Sequence, residues 1–235
     1  MNDGKTTYKH KTNPMNPKYI MSTVLSLVLL ASPTLKASSV TVNNFSFEIP
    51  VLGAGNYNAS VTDWTIFSGN AGEQDFGTGQ FTQADPLAAP AAGNQAVYIY
   101  AGGGGGGAGG SIYQDVGALL PNTLYTLTVA VGNRSDQNQP AGNSGIISLY
   151  NGIDPTGTLL VSSASVTAPE GAWTNAVVTY QTGATVSGDL VISLGVMAGN
   201  VQFDNVRLDT TVVPEPSTYA LLASSVLGLD RKSVV

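Results

Sequence analysis

The sequence of 235 residues has no cysteine, and its only histidine is His10. Between residues 38 and 212 it also has no lysine, and the only basic residues there are Arg134 and Arg207. These absences exclude Cys–His and Ser–His–Asp catalytic sites, zinc sites with Cys or His ligands, and Schiff-base chemistry from this segment. Asp, Glu, Ser, Thr and Tyr remain as the groups that could carry chemistry.

The charge of the same segment limits its partners. Residues 38–212 hold twelve Asp and Glu residues against two Arg residues. Proteins that bind nucleic acid do so largely by neutralising many phosphates with Lys and Arg. Two arginines cannot do this, so we expect no nucleic-acid partner.

The N-terminal end predicts export. An apolar run from Tyr19 to Ala31 follows a basic stretch and precedes small residues. As a helix this run would reach about 20 Å, which is short of a bilayer core of roughly 30 Å but typical of a secretory signal. The sequence therefore predicts an export signal over residues 1–37, removed by signal peptidase after Ala37 or, as the alternative, after Ala31.

The C-terminal end, residues 213–235, has a short proline motif, an apolar run from Thr218 to Leu229 and a basic stop. This order resembles the PEP-CTERM sorting signal of Gram-negative bacteria. The resemblance implies that a membrane protease, an exosortase, recognises Pro214, Glu215 and Pro216. It also implies transient inner-membrane retention, followed by delivery to the cell surface, outer membrane or extracellular matrix.

Residues 38–212 predict one all-β domain. They contain 26 of the 28 glycines, about twice the usual share. Short β-branched and alternating runs, such as Leu124 to Val131, are separated by Gly, Asn, Asp or Pro, and no window shows a helical stripe. We expect a two-sheet antiparallel β-sandwich whose first strand is Ser46 to Ile49, flanked by an N-terminal signal helix and a short C-terminal apolar helix.

Five landmarks along this segment resemble those of galactose-binding-like jelly rolls, which include carbohydrate-binding modules. In order they are Asn44 to Glu48, Asp63 to Thr65, Ser111 to Val116 together with Pro121 to Leu127, Ala172 to Thr174 and Phe203 to Leu208. The resemblance implies a jelly-roll sandwich with a structural calcium ion held by Glu48 and Asp204, completed by backbone carbonyls. Calcium prefers six to eight oxygen ligands, which an acidic segment without His can supply. The alternative is that both residues are solvated turn residues.

Three tyrosines are the candidate ligand-binding residues. Tyr98 and Tyr100 share one face of a predicted strand because successive side chains alternate, and Tyr113 follows the glycine-rich segment. Such rings could cover the apolar side of a sugar. Trp64 and Trp173, in contrast, are expected to lie in the core.

These features together predict an exported, non-catalytic surface or matrix protein associated with exopolysaccharide. Two alternatives remain open. One is a specific carbohydrate-binding module. The other is a carboxylate-based glycosidase or lyase, for which the candidate acids are Asp63, Glu73, Asp75 and Asp115.

Overall fold

The computed structural model describes residues 37–53, 56–75, 90–100, 109–133 and 143–214. These residues form twelve strands and no helix, and so include no helix able to span a membrane. The strands are β1 Ala37–Val40, β2 Tyr57–Asn58, β3 Thr65–Ser68, β4 Asn70–Asp75, β5 Gln95–Tyr100, β6 Ser111–Ala118, β7 Thr123–Asn133, β8 Ser144–Asn151, β9 Thr158–Ser162, β10 Ala172–Gln181, β11 Asp189–Ala198 and β12 Asn200–Val212. The two predicted flanking helices lie outside the described residues.

The strands form two antiparallel sheets. The larger has the order β10-β7-β12-β5-β4-β2, and β1 pairs with the C-terminal part of β12. The smaller has the order β3-β6-β11-β8-β9. The described residues up to Val213 belong to one compact unit. This arrangement confirms the predicted all-β antiparallel sandwich.

The core between the sheets follows from strand alternation. On β7, Tyr125, Leu127, Val129 and Val131 are buried and belong to one continuous apolar cluster. The residues between them point to the opposite face, because the side-chain period of a strand is two. A residue's parity along its strand therefore decides whether it lies in the core or on the outer face of the sandwich.

The start of the domain differs from the prediction. Its first strand is Ala37–Val40, whose Ala37 pairs with Thr211, whereas the segment from Ser46 to Ile49 is not a strand. The preceding Asn44 has a positive φ of 46°, which asparagine tolerates better than most residues. Its side-chain Nδ2 donates to the carbonyl of Ile49 at 2.9 Å. Glu48 is consequently a loop residue and not a strand residue.

Candidate functional site

A row of five residues crosses the outer face of the larger sheet. The strand register places Trp173 opposite Gly132, Gly132 opposite Gln202, Gln202 opposite Tyr98, and Tyr98 opposite Gly72. All five have the parity that points away from the core. We call this set the aromatic row.

The two glycines of the aromatic row make room for the two rings. A Cβ atom on Gly132 would lie 2.8 Å from Cζ3 of Trp173, and one on Gly72 would lie 2.7 Å from the hydroxyl of Tyr98. Real Cβ atoms do not approach other atoms this closely, so both rings lie directly against glycine backbone. The two rings, each partly exposed, therefore lie on the two sides of Gln202, whereas Gln202 and both glycines are buried.

Gln202 is the polar centre of the aromatic row, and its side chain is fully buried. Its Nε2 donates to Oδ1 of Asn200 at 3.1 Å. Its Oε1 has no hydrogen-bond partner and is the one buried side-chain polar atom of the described residues in this condition. A buried acceptor without a donor costs about 1–3 kcal/mol, so this atom calls for an explanation.

Tyr98 is the polar group next to Gln202 in the row, and it is only half-buried. Burial raises the pKa of its phenol, and the nearby Tyr57 raises it further. The hydroxyl therefore stays protonated at neutral pH and keeps its capacity to donate a hydrogen bond.

A buried carboxyl lies two residues further along the same face of β12. Asp204 pairs in register with Ala130 and is fully buried. Its Oδ2 accepts a hydrogen bond from the backbone N–H of Ala92 at 2.6 Å, and its Oδ1 accepts one from Asn205 at 2.6 Å. Strand geometry puts its Cα about 7 Å from that of Gln202, so the carboxyl and Gln202 are neighbours on one strand.

Burial raises the pKa of Asp204 from 3.8 to about 7. The backbone N–H groups of Ala92, Asn205 and Ala91 oppose this shift, whereas the charge of Glu48 adds to it. The carboxyl is therefore poised between its acid and its ionised form near neutral pH, which suits a proton donor.

The second carboxylate is held by the segment just before β5. Oε1 of Glu48 accepts hydrogen bonds from the backbone N–H groups of Asn94 at 2.7 Å and Gln95 at 2.8 Å. The side-chain amide of Gln95 donates to the carbonyls of Phe47 at 2.6 Å and Pro50 at 3.0 Å. These bonds fix the loop that carries Glu48 against the segment that also contacts Asp204.

The two residues predicted to hold calcium are thus neighbours, but they do not complete a calcium site by themselves. Three of their four carboxylate oxygens accept N–H bonds. The described residues include no group of three or more acidic, His or Cys side chains suited to a metal, and calcium takes six to eight oxygens. Calcium binding at Glu48 and Asp204 stays a prediction.

The three candidate tyrosines are divided between the two sheets. Tyr98 and Tyr100 share the outer face of the larger sheet, where Tyr100 pairs with Asn200. Tyr113 lies on the outer face of the smaller sheet, paired with Thr65 and Ser193. The structure therefore separates Tyr113 from the other two, because β5 and β6 belong to different sheets.

The two tryptophans also differ. Trp64 is buried as predicted, with its ring centroid 5.6 Å from that of Phe47 and its Nε1 donating to the carbonyl of Asn43 at 3.2 Å. The core prediction for Trp173 is wrong, because its neighbours Ala176 and Val178 have the core parity and Trp173 has the other.

The candidate glycosidase acids are divided among β4, β6 and the segment before β3. Asp115 lies on β6 of the smaller sheet, where its Oδ1 accepts from the N–H of Gly117 at 2.8 Å, and Asp63 precedes β3 with a positive φ of 65°. Glu73 and Asp75 belong to β4 of the larger sheet. Of the sorting motif, Pro214 ends the described part, and Glu215 and Pro216 lie outside it.

Two features of the site were missed from sequence. Gln202 carried no signal, because a glutamine on a strand is unremarkable until its partners are known. The segment from Ala91 to Gln95 was missed because its contribution is backbone N–H groups, which any sequence supplies. A Gly-Asn-Gln turn just before a strand was the only available hint.

A family model described as HpiC1-like, HpiC1 cyclase, matches residues 38–209. The match spans almost the whole sandwich, including the aromatic row, Glu48 and Asp204. Sequence comparison with curated proteins finds no match.

Solved structures with the same fold include two cyclases from Fischerella sp. TAU. One, in complex with 4-(1H-indol-3-yl)butan-2-one, has a TM-score of 0.64 and 22% identity, covering 76% of this chain and 100% of that chain. The other, the Stig cyclase Fisc in complex with (3Z)-3-(1-methyl-2-pyrrolidinylidene)-3H-indole, has a TM-score of 0.63 and 23% identity, with the same coverage. A carbohydrate-binding module, CBM4, is less similar, with a TM-score of 0.43 and 16% identity over 72% of this chain and 98% of that chain.

The predicted non-catalytic function is wrong, and so is the prediction that the protein is not an enzyme, because the matching family is one of cyclases. The missing Cys, His and Lys exclude the common nucleophiles and bases. They leave carboxyl groups, which can act as general acids and bases, and aromatic rings. The inference from missing residues to missing catalysis was therefore too broad.

Proposed function

The chain belongs to the family of HpiC1-like cyclases, and from this we propose that it catalyses an intramolecular ring closure on the outer face of its larger sheet. The observation that carries the proposal is the family match over residues 38–209. The geometry supports it, because flat apolar surface and a buried carboxyl adjoin on that face.

Asp204 is the acid of the proposed reaction. It protonates an unsaturated carbon of the substrate, so that a C–H bond forms and the O–H bond breaks. The electrons of a second double bond or ring then close the new C–C bond onto the cation. A proton lost from the cyclised cation returns to the carboxylate, so the product is an isomer of the substrate and the acid is regenerated.

The proposed substrate is a planar aromatic compound with an unsaturated apolar chain. Trp173 and Tyr98, lying against glycine backbone, provide surfaces on which a planar ring can pack. The two Fischerella cyclases of the same fold hold ligands that contain an indole-type ring, which agrees with a site of this kind.

The direct test is turnover. The purified protein is incubated with a panel of indoles and other aromatic compounds that carry unsaturated alkyl chains. Mass spectrometry and NMR then follow the products. We expect at least one substrate to give a product of unchanged mass with fewer olefinic protons. A panel that returns unreacted, with the protein folded, would contradict the proposal.

We also propose that this enzyme is exported and sorted to the cell surface or matrix. The support is the basic and apolar leader over residues 1–37 and the proline motif with its apolar run over residues 213–235. Signal peptidase and exosortase would be its processing partners. Mass spectrometry of the surface-located protein should find termini at Ser38 and near Pro216, whereas a cytosolic protein that keeps its leader would contradict this.

A further inference from the structure

Among the described residues three glutamines are buried, and one of them differs from the other two. Gln95 and Gln114 bond through both ends of their amides to backbone groups. Gln202 uses only its Nε2, and its Oε1 has no partner among the described residues. We propose that Oε1 of Gln202 is a substrate-orienting acceptor, which takes a hydrogen bond from an N–H or O–H on a planar, neutral ligand. This inference rests on the proposed function, which places the substrate on this face.

Gln202 has no structural role that requires an amide. The amide of Gln114 ties Asn43 and Asp63 together through three bonds of 2.8–3.0 Å. Gln95 likewise anchors Phe47, Pro50 and Leu52. The single bond of Gln202 goes to Asn200, only two residues away on the same strand, so it joins no separate parts of the fold.

The unpaired oxygen of Gln202 determines which chemical group a ligand must offer. A carbonyl oxygen only accepts, so its partner must be a donor. The neighbours of Gln202 across the sheet are Gly132 and Tyr98, with Trp173 lying over Gly132. Of these groups the hydroxyl of Tyr98 is polar, and none carries a formal charge. The complementary ligand is therefore a flat apolar ring system that bears a neutral N–H or O–H at its edge.

The first arm of the test measures stability without ligand. Gln202→Met keeps the length of the side chain and removes the unpaired acceptor, and Asn200 is partly exposed, so water can replace its lost donor. We expect the Tm of Gln202→Met to equal or exceed that of the wild type. The matched control Gln114→Met loses three bonds and should fall by about 5 °C or more.

The second arm measures binding with two probes, indole and 1-methylindole, which differ in the N–H donor. Calorimetry should show that the wild type binds indole about tenfold more tightly than 1-methylindole. In Gln202→Met the preference should fall to within twofold, while 1-methylindole still binds as it does to the wild type.

Three results would overturn the inference: a Tm loss in Gln202→Met as large as in Gln114→Met, a wild type that does not prefer indole over 1-methylindole, and a preference that persists in Gln202→Met. The proposed function fails separately, by absence of turnover. A donor preference that depends on Gln202 without turnover would support the binding role and remove the enzyme. Turnover together with an unchanged preference in Gln202→Met would support the enzyme and remove the binding role of Gln202.

Discussion

The outer faces of the two sheets differ in how their polar side chains are hydrogen-bonded. The smaller sheet also has a row of five residues in register across its outer face. They are Thr65, Tyr113, Ser193, Ser148 and Ser162. Two of its serines bond to each other, and the Oγ of Ser148 donates to the Oγ of Ser162 at 2.9 Å. The aromatic row of the larger sheet instead sets glycines and rings around an amide with an unpaired oxygen.

This difference supports the proposal that the ligand lies on the larger sheet. Among the described residues of the smaller sheet, no buried side-chain polar atom lacks a hydrogen-bond partner. On the larger sheet, the polar atoms of Gln202 and Asp204 are buried among groups that leave one acceptor unpaired and one carboxyl with a raised pKa. A bound molecule can relieve both conditions. The following experiments compare the two faces by matched variants.

The largest effect is expected for the carboxyl. Asp204→Asn keeps the shape of the side chain but removes the transferable proton, so turnover should fall by about 10²- to 10⁴-fold. Asp115→Asn, on the smaller sheet, should stay within twofold of the wild type. Initial rates of isomer formation give both numbers, and equal losses in the two variants would show that the faces do not differ.

The stability of the domain should depend on pH through Asp204. Its pKa is about 7 in the folded protein against 3.8 ordinarily, so between these values the folded state keeps a proton that the unfolded state releases. The free energy of unfolding should therefore fall as pH rises through this window, by on the order of 4 kcal/mol in total from this group.

Urea unfolding at pH 5 and pH 8 checks this. Asp204→Asn should lose most of the decline between the two pH values, whereas Asp115→Asn should keep it. Parallel behaviour of the wild type and Asp204→Asn would place the titrating group elsewhere.

A smaller effect is expected for the aromatic surface. Trp173→Ala removes a ring from the aromatic row and should weaken binding of indole about tenfold, since aromatic contacts contribute about 0.5–1.5 kcal/mol beyond buried area. Tyr113→Ala, whose ring meets Phe67 edge-on at 6.1 Å on the other sheet, should change the Kd less than twofold. If Tyr113→Ala weakens binding more than Trp173→Ala, the site lies on the smaller sheet.

The smallest effect is expected for calcium. If Glu48 and Asp204 bind the ion, calcium at tenfold excess over its Kd should stabilise the domain by about 1.4 kcal/mol. The shift in Tm should disappear in Asp204→Ala and persist in Asp115→Ala. Saturating calcium without any shift in the wild type would remove the predicted ion.

Alternation of side chains along individual strands predicted part of the fold from the sequence. Leu124 to Val131 alternates clearly and is part of β7. The segment from Ser46 to Ile49 looks equally strand-like, but Asn44 forms a turn that holds it out of the sheets. Strand β1 was missed because Ala37–Val40 is short and mostly exposed, and its partner in β12 is far away in the chain.

The candidate site divides in the same way. Parity along one strand was enough to place Tyr98 and Tyr100 on a common face. It could not tell whether Tyr113 joins them, because that depends on the sheet to which the next strand goes. Trp173 was expected in the core because of its position in a jelly-roll landmark, but its ring lies over Gly132 on the other face.

The sequence by itself determined the all-β class, the acidic character of the domain, the exclusion of Cys, His and Lys chemistry, and the local alternation of its strands. These properties depend on composition and on neighbours along the chain. Only the tertiary structure decided that Trp173, Gln202 and Tyr98 share one row, and that Asp204 is buried beside Glu48. The row depends on pairing between strands that are distant in the chain. The raised pKa of Asp204 depends on the removal of water from its carboxyl group. Neither is visible until the chain has folded.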